Sequence, residues 1–270
     1  MDIPSLKLQA RELLGSRKKQ FLIPSLIYVL LALLFSYLSL RLTMPPAEQL
    51  LSLSEQMTAM LQSGDVDGAS RIAASIQPSA AETLVSDLLS YLLAIVSFGL
   101  LMLFFRALRG EETEAGMLLD GFSVWSKVLL LELLIRLLTT IGFWAFLIPG
   151  FVLLYNYRMA RYLMILHPDF GVLDCMRESR MRMRGHRLEL LRLDLSFLGW
   201  ALLSVFPFLG IAIGVWAFPY WNLTSLLAYE KINAGFEPSK KKISDKVWGL
   251  AHGKNPVLNH NKEAGVYSLI

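Results

Sequence analysis

Two ionisable side chains, Glu132 and Arg136, stand four residues apart in the otherwise apolar stretch 128–148. This spacing places both on one face of an α-helix, one turn apart. Charged groups at membrane depth are costly and usually pair inside a helix bundle, where they line a substrate or proton route or fix helix packing. Because residue 132 lies near one end of the stretch, its side chain can also reach water. Both interpretations, a polar route and a packing pair, stay open.

The next apolar stretch, 151–166, contains Arg158 and Arg161 towards its end. Three tyrosines accompany them: Tyr155, Tyr157 and Tyr162. Arginines in such a position are candidates for contacts with anionic lipid head groups. Tyrosine and arginine also anchor helix ends at a membrane interface, and that interpretation is favoured.

A third group of candidates lies in the basic segment 171–187, which we predict to be an amphipathic helix along the inner membrane surface. Arg177, Arg182 and Arg184 point away from an apolar face, which is formed by Val172, Leu173, Met176 and Met183. A basic amphipathic helix binds anionic lipid, with about 1 kcal/mol per arginine near the surface. The same charge also marks a cytoplasmic loop. Nucleic-acid binding is disfavoured, because no aromatic platform or recognised motif accompanies the arginines.

Groupings typical of catalysis or metal binding are missing from the sequence. The four histidines are scattered, and the single cysteine, Cys175, has no convincing activating base near it. No metal-ligand spacing and no glycine-rich phosphate loop occurs. We therefore expect a protein that is not an enzyme and that has no metal and no cofactor.

Composition indicates that membrane helices position these residues. Hydrophobic residues make up 54% of the 270 residues and charged residues 18%, with a mean hydropathy of +0.48. Soluble domains contain roughly 45–50% apolar and about 25% charged residues. The bilayer is the natural solvent for the excess apolar surface. The fold class that we predict is all-α, a polytopic helical membrane protein.

We predict about six transmembrane helices. Four apolar stretches are candidates: 21–40, 88–105, 128–148 and 151–166. The uncharged run 195–229 is too long for one crossing, and Pro207 and Gly210 offer a turn between helices at about 188–206 and 211–230. A re-entrant hairpin is the alternative for this run. Chain breaks at 148–150 and 206–210 hint at repeated helical hairpins.

Charge predicts the side of the membrane that each loop faces. The segments 1–20 and 231–270 are rich in lysine and arginine, which favours the cytoplasm. The loop 42–87 has one arginine against six acidic residues and apolar residues at helical spacing, so we expect an outer amphipathic segment. We thus expect a multi-pass protein of the inner (cytoplasmic) membrane, with a six-span domain at 21–230, both termini cytoplasmic and a disordered tail at 231–270.

Much of residues 95–230 resembles a family of bacterial multi-pass integral membrane proteins known as a domain of unknown function (family 975). The matching features are Ile148-Pro149-Gly150, the region of Tyr157 and Met159, Pro168-Asp169, Ser179-Arg180, Gly185-His186, Leu193 to Trp200, and Pro219-Tyr220. His167 departs from the family, which more often has Asn there. The resemblance implies a helical membrane domain, distantly like that beside some glycerophosphodiester phosphodiesterases. It implies no activity and no catalytic residues.

The function that we expect is a non-enzymatic membrane scaffold, accessory subunit or lipid-interacting module. Its partners would be the bilayer, with anionic lipids at the cytoplasmic face, and an unidentified membrane protein. The alternative is a small permease or exporter with a polar route near Glu132 and Arg136. A polar cavity that joins these residues to Arg158 and Asp194 would favour transport, whereas a packed, dry bundle would favour a scaffold.

Overall fold

Helices joined by short turns make up the fold. The computed structural model describes residues 1–204 and 207–251, with side chains for 1–204, 210 and 213–236, and no strand occurs in those ranges. The first half contains α1 (Ile3–Ser16), α2 (Lys18–Thr43), α3 (Ala47–Gln62), α4 (Val66–Ser75) and α5 (Ala80–Leu108). The second half contains a 3-10 segment (Ala115–Val124), α6 (Trp125–Ala145), α7 (Leu147–Tyr157), α8 (Ala160–Leu166), α9 (Val172–Arg182), α10 (Arg187–Leu195), α11 (Leu198–Leu203) and α12 (Pro207–Ala251). The prediction of an all-helical fold is confirmed for this part of the chain.

Within the described residues, three helical segments are long and apolar enough to cross a membrane. They are Lys18–Thr43, Ala80–Leu108, and Ala115–Ala145, the last combining the 3-10 segment with α6. These segments contain the first two predicted spans and most of the third. The full count of six spans and the repeat of hairpins stay predictions.

Helix α5 lies at the centre and packs against α2, the 3-10 segment and α6. A capping box begins it: the Ser79 hydroxyl accepts from the Glu82 amide, and the Glu82 carboxylate accepts from the Ser79 amide. Farther along, Gly99 lies directly against Gly121. A Cβ on Gly99 would come within 1.9 Å of the Leu118 carbonyl oxygen, so this backbone approach requires glycine.

The fourth predicted span, 151–166, is divided between two short helices. The chain turns at Arg158 and Met159, between α7 and α8. With 11 residues, α7 is about 16 Å long, roughly half of the hydrocarbon core. It folds back tightly on α6, where Gly142 approaches Gly150.

The last two predicted spans also differ from the observed helices. The predicted span 188–206 overlaps α10 and α11, which are separated at Ser196 and Phe197, and its last two residues lie outside the described part of the chain. Helix α12 continues past residue 230 to Ala251, so residues 231–251, for which we expected disorder, are helical. Tertiary contacts explain part of the extension, because Ile232 is buried in the core. The rest of the predicted tail, 252–270, lies outside the described residues.

The basic helix predicted at 171–187 is shorter and more buried than expected. Helix α9 ends at Arg182, and Gly185, with φ +89°, turns the chain into α10. The packing of α9 against α6, α7 and α8 buries Cys175, Glu178, Ser179 and Arg182. Neighbouring helices cover most of α9, so it is an interior element with one exposed edge.

Large apolar side chains cover much of the outer surface of the long helices. Leu34 on α2 is 50% exposed, Leu137 on α6 54% and Trp144 88%. The turn into α7 continues this surface, with Phe146 and Ile148 both 76% exposed. Contiguous exposure of this kind is rare on monomeric soluble proteins and is typical of a surface that meets lipid or another protein.

Candidate functional site

An ion pair between Arg158 and Asp194 forms the centre of the polar site. The turn between α7 and α8 presents Arg158, and the last turn of α10 presents Asp194. Both terminal nitrogens of Arg158 donate to the carboxylate, with 2.8 Å between Nη2 and Oδ1. Nη2 also lies 3.5 Å from the hydroxyl of Ser225 on α12. This two-point geometry is among the stronger side-chain interactions, and it ties three helical segments together.

Two aromatic side chains complete the environment of Asp194. The Tyr155 hydroxyl donates to Oδ2 at 2.7 Å, and Trp221 Nε1 donates to Oδ1 at 3.0 Å. The guanidinium of Arg158 lies over both rings, 5.5 Å from the centre of Tyr155 and 5.3 Å from that of Trp221. Four hydrogen bonds therefore reach one carboxylate and fix its position.

Glu132 pairs with Arg161 rather than with Arg136, which corrects the expected pairing. Arg161 Nη2 lies 2.6 Å from Glu132 Oε2, and Nε donates to Oε1. Arg136 instead approaches Asp87 on α5, with 3.4 Å between Nη1 and Oδ1, and lies over the Tyr91 ring. The i, i+4 spacing is present on α6. However, α8 and α5 offer each side chain an oppositely charged partner across a helix interface.

A cavity of about 490 Å³ lies beside these two ion pairs. Helices α2, α5, α6, α7, α8, α10 and α12 contribute to its wall. The polar part of the lining consists of Tyr28, Ser97, Tyr155, Tyr157, Arg158, Arg161, Asp194, Trp221, Asn222, Ser225 and Tyr229. Two guanidinium groups thus face the same space with one carboxylate, while Glu132 holds Arg161 from behind and Arg136 is not part of the wall.

Arg161 has the spare donor capacity in this cavity. Nε and Nη2 are used by Glu132, whereas Nη1 makes no hydrogen bond with a described residue. The side chain is 40% exposed, so a group that enters the cavity can reach it. Arg158, by contrast, directs both terminal nitrogens to Asp194. Arg161 is therefore the first candidate for contact with a ligand.

The three arginines predicted on the basic helix have different surroundings. Arg182 is only 2% exposed; it donates to Asn233 of α12 and lies 3.5 Å from a carboxylate oxygen of Glu178. Burial excludes it from the head-group contact that the sequence suggested. Arg177 and Arg184 are exposed and remain candidates for contact with anionic lipid, with Arg177 paired to Asp174.

Cys175, the one cysteine of the chain, lies outside this site. Its side chain is fully buried between α9 and its neighbours. Burial raises the pKa of the Cys175 thiol, and the nearby Asp174 charge acts in the same direction. Because the thiolate is the reactive form, the folded protein should resist alkylation at this residue, and Cys175 can report on unfolding.

Sequence reasoning missed most of the cavity wall from α12. Trp221, Asn222 and Ser225 stand within an apolar run and were not singled out. A usable signal was present, because polar side chains at spacings of three and four residues within an uncharged span form a stripe on one helix face. That stripe faces Arg158 and Asp194 in the structure.

Comparison with known sequences identifies the family of this chain. The sequence model of the family described as Protein of unknown function (DUF975) matches residues 88–235, more than half of the chain. The matched region includes the cavity apart from Tyr28. No curated protein and no solved structure matches the chain. The chain belongs to the DUF975 family.

Proposed function

We propose that this protein is a multi-pass integral membrane protein with six crossings and both termini in the cytoplasm. The three long apolar helices and the exposed apolar surface of α2, α6 and α7 support a membrane location. The basic segments 1–20 and 231–270, set against the acidic loop 42–87, support the orientation. In this arrangement α7 and α8 together make one crossing, and α10 and α11 together make another.

Cysteine labelling tests this topology. In a Cys175→Ala background, Ser63→Cys places a thiol between α3 and α4, and Glu112→Cys places one between α5 and the 3-10 segment; both positions are exposed. In intact cells, a membrane-impermeant maleimide should label Cys at position 63, and should label position 112 only after permeabilisation. Equal labelling of both positions in intact cells would contradict the orientation.

We further propose that the bundle is a non-enzymatic, lipid-interacting module that holds an anionic group in its cavity. The observation that carries this proposal is the cavity of about 490 Å³ with Arg158 and Arg161 in its wall. Ligand sites are concave, usually about 300–1,000 Å³, and combine apolar walls with a few fixed polar groups. The donors of Arg161 that Glu132 leaves unused, together with tyrosine and serine hydroxyls, suit phosphate oxygens.

Thermal melting with inorganic phosphate tests the cavity. A ligand that binds only the folded state stabilises it, by about 2.7 kcal/mol at one hundred times its Kd. The purified protein in detergent should melt at a higher temperature as phosphate is added, whereas chloride at equal ionic strength should have no such effect. The double variant Glu132→Gln/Arg161→Gln should lose the phosphate effect. A phosphate response unchanged in the double variant would contradict the proposal.

The permease alternative has one supporting observation. The Glu132–Arg161 pair borders a polar cavity inside an apolar bundle, which is the arrangement expected of a substrate route. Uptake of radiolabelled phosphate into proteoliposomes separates the two functions. A binding module gives no uptake above that of empty liposomes, whereas a permease gives uptake that the double variant loses.

A further inference from the structure

A second, apolar space adjoins the polar cavity. It is a groove of about 340 Å³ between α11 and α12. Leu198, Trp200 and Ala201 line it from α11, and Ile213, Gly214 and Ala217 line it from α12. Trp200 also contacts Trp216 across the two helices, with 5.4 Å between ring centres. The groove is therefore a depression whose described lining is mostly aliphatic and aromatic.

The groove and the cavity share one wall. Asp194, Phe218 and Trp221 line both spaces. Trp221 donates its indole N–H to Asp194, so this wall has a polar edge and two apolar ring faces. On one side of it lie Arg158 and Arg161, whereas the described residues on the other side are aliphatic and aromatic apart from Ser204 and Gly214.

We propose that the two spaces together bind one phospholipid with an anionic head group. The phosphate lies in the cavity near Arg161, and one acyl chain lies in the groove between α11 and α12, with Trp221 at the junction. This proposal rests on the proposed function of the cavity and names the ligand class for it. It differs from a contact at the lipid surface, because the head group enters the bundle.

The chemistry of the two spaces favours an amphiphile, rather than a soluble anion, as the ligand. Arg161 supplies the unused Nη1 donors for phosphate oxygens, and the groove supplies an apolar surface for methylene groups. Tryptophan and tyrosine are enriched at the boundary between acyl chains and head groups, and here Trp200 and Trp221 line the groove.

Native mass spectrometry of the full chain, released from detergent, tests this proposal. The probes are dioleoyl phosphatidylglycerol, dioleoyl phosphatidylcholine and, in a parallel titration, inorganic phosphate. Ala201→Trp fills the groove from an exposed position, so folding should be retained. Leu202→Trp is the matched control, because Leu202 is the next residue of α11, is 62% exposed and does not line the groove. Resistance of Cys175 to alkylation confirms that each variant is folded.

We expect wild type to bind phosphatidylglycerol about tenfold more tightly than phosphatidylcholine, which corresponds to 1.4 kcal/mol. Ala201→Trp should weaken phosphatidylglycerol binding about tenfold and leave phosphate binding unchanged, while Leu202→Trp should change neither. Phosphate binding that depends on Arg161, together with lipid binding that Ala201→Trp does not weaken, would overturn the lipid proposal and leave the cavity site standing. Loss of neither ligand in Glu132→Gln/Arg161→Gln would overturn the cavity site itself.

Discussion

Two sets of arginines in the second half of the chain have opposite surroundings. The interior set, Arg158, Arg161 and Arg182, makes carboxylate pairs within the helix bundle. The exterior set, Arg177, Arg180 and Arg184, lies on the exposed edge of α9 and the turn after it. All six arginines lie between residues 158 and 184, and α9 carries members of both sets: Arg177 and Arg180 are exposed, and Arg182 is buried. One residue type therefore occupies two different environments in this short segment.

Burial explains why the two sets must behave differently. A guanidinium in a medium of low polarity needs a counter-charge and hydrogen-bond partners. Removing one partner leaves a buried charge whose desolvation cost is no longer compensated. An exposed guanidinium stays hydrated, and its pairing contributes about 0–1 kcal/mol. The interior set should thus control stability and ligand binding, and the exterior set should adjust contact with anionic lipid.

The largest effect should come from Asp194→Asn. This change removes the charge opposite Arg158 and turns one carboxylate oxygen into a donor that faces another donor. We expect the free energy of unfolding to fall by about 3 kcal/mol, measured by denaturant-dependent alkylation of Cys175. The control is Arg158→Met/Asp194→Leu, which removes both charges and should cost less. A double variant less stable than Asp194→Asn would show that charge pairing is not the cause.

A second comparison sets Arg182→Met against Arg184→Met. Arg182 is buried and faces Glu178, so its loss takes a positive charge away from a buried carboxylate. We expect a loss of about 2 kcal/mol for Arg182→Met and a change within about 0.5 kcal/mol for Arg184→Met. Urea unfolding in a mild detergent measures both variants. Equal losses would remove the distinction between interior and exterior arginines.

A double-mutant cycle on Glu132 and Arg161 should give an intermediate effect. Glu132 is 14% exposed and Arg161 40%, so water screens this pair more than it screens a fully buried one. We expect a coupling energy of about 1 kcal/mol between Glu132→Gln and Arg161→Gln. The same cycle on Glu132 and Arg136 should give a value near zero. Coupling to Arg136 instead of Arg161 would restore the pairing expected from helical spacing.

The smallest effect should come from the exterior set. Arg177→Gln/Arg184→Gln should leave stability unchanged and lower the enrichment of phosphatidylglycerol around the protein in nanodiscs. Each arginine near a membrane surface contributes about 1 kcal/mol at physiological ionic strength. Because salt screens exposed charges, the difference from wild type should disappear at high ionic strength. A difference that persists in high salt would indicate a buried lipid site on α9.

The sequence predicts the long apolar helices well because length and the absence of charge are local properties. It also identifies Arg158 and Arg161 as candidates, since charge in an apolar stretch is conspicuous, and both line the cavity. The ion-pair and hydrogen-bond partners of the charged residues, by contrast, are not predicted by the sequence. Glu132 on α6 meets Arg161 on α8, and Arg182 on α9 meets Asn233 on α12, across helices that are distant in the sequence. Such contacts depend on tertiary packing, which helical periodicity does not specify.

Local sequence patterns also fail to predict that the apolar runs divide into short helices. The run 151–166 has no proline or glycine inside it, yet the chain turns at Arg158. The bidentate pair with Asp194 and the stacking on Tyr155 and Trp221 hold that residue in place. The break is thus associated with the polar site rather than with a helix-breaking residue, and it becomes predictable only once the partner is known.

Calorimetric titration of inorganic phosphate into three proteins tests the central claim most directly. The proteins are wild type, the interior variant Glu132→Gln/Arg161→Gln and the exterior variant Arg177→Gln/Arg184→Gln, each in the same detergent. The interior variant should bind phosphate at least about tenfold more weakly than wild type, and the exterior variant should bind as wild type does. Phosphate binding that survives in the interior variant, or that is lost in the exterior one, would contradict the assignment of the ligand site to the cavity.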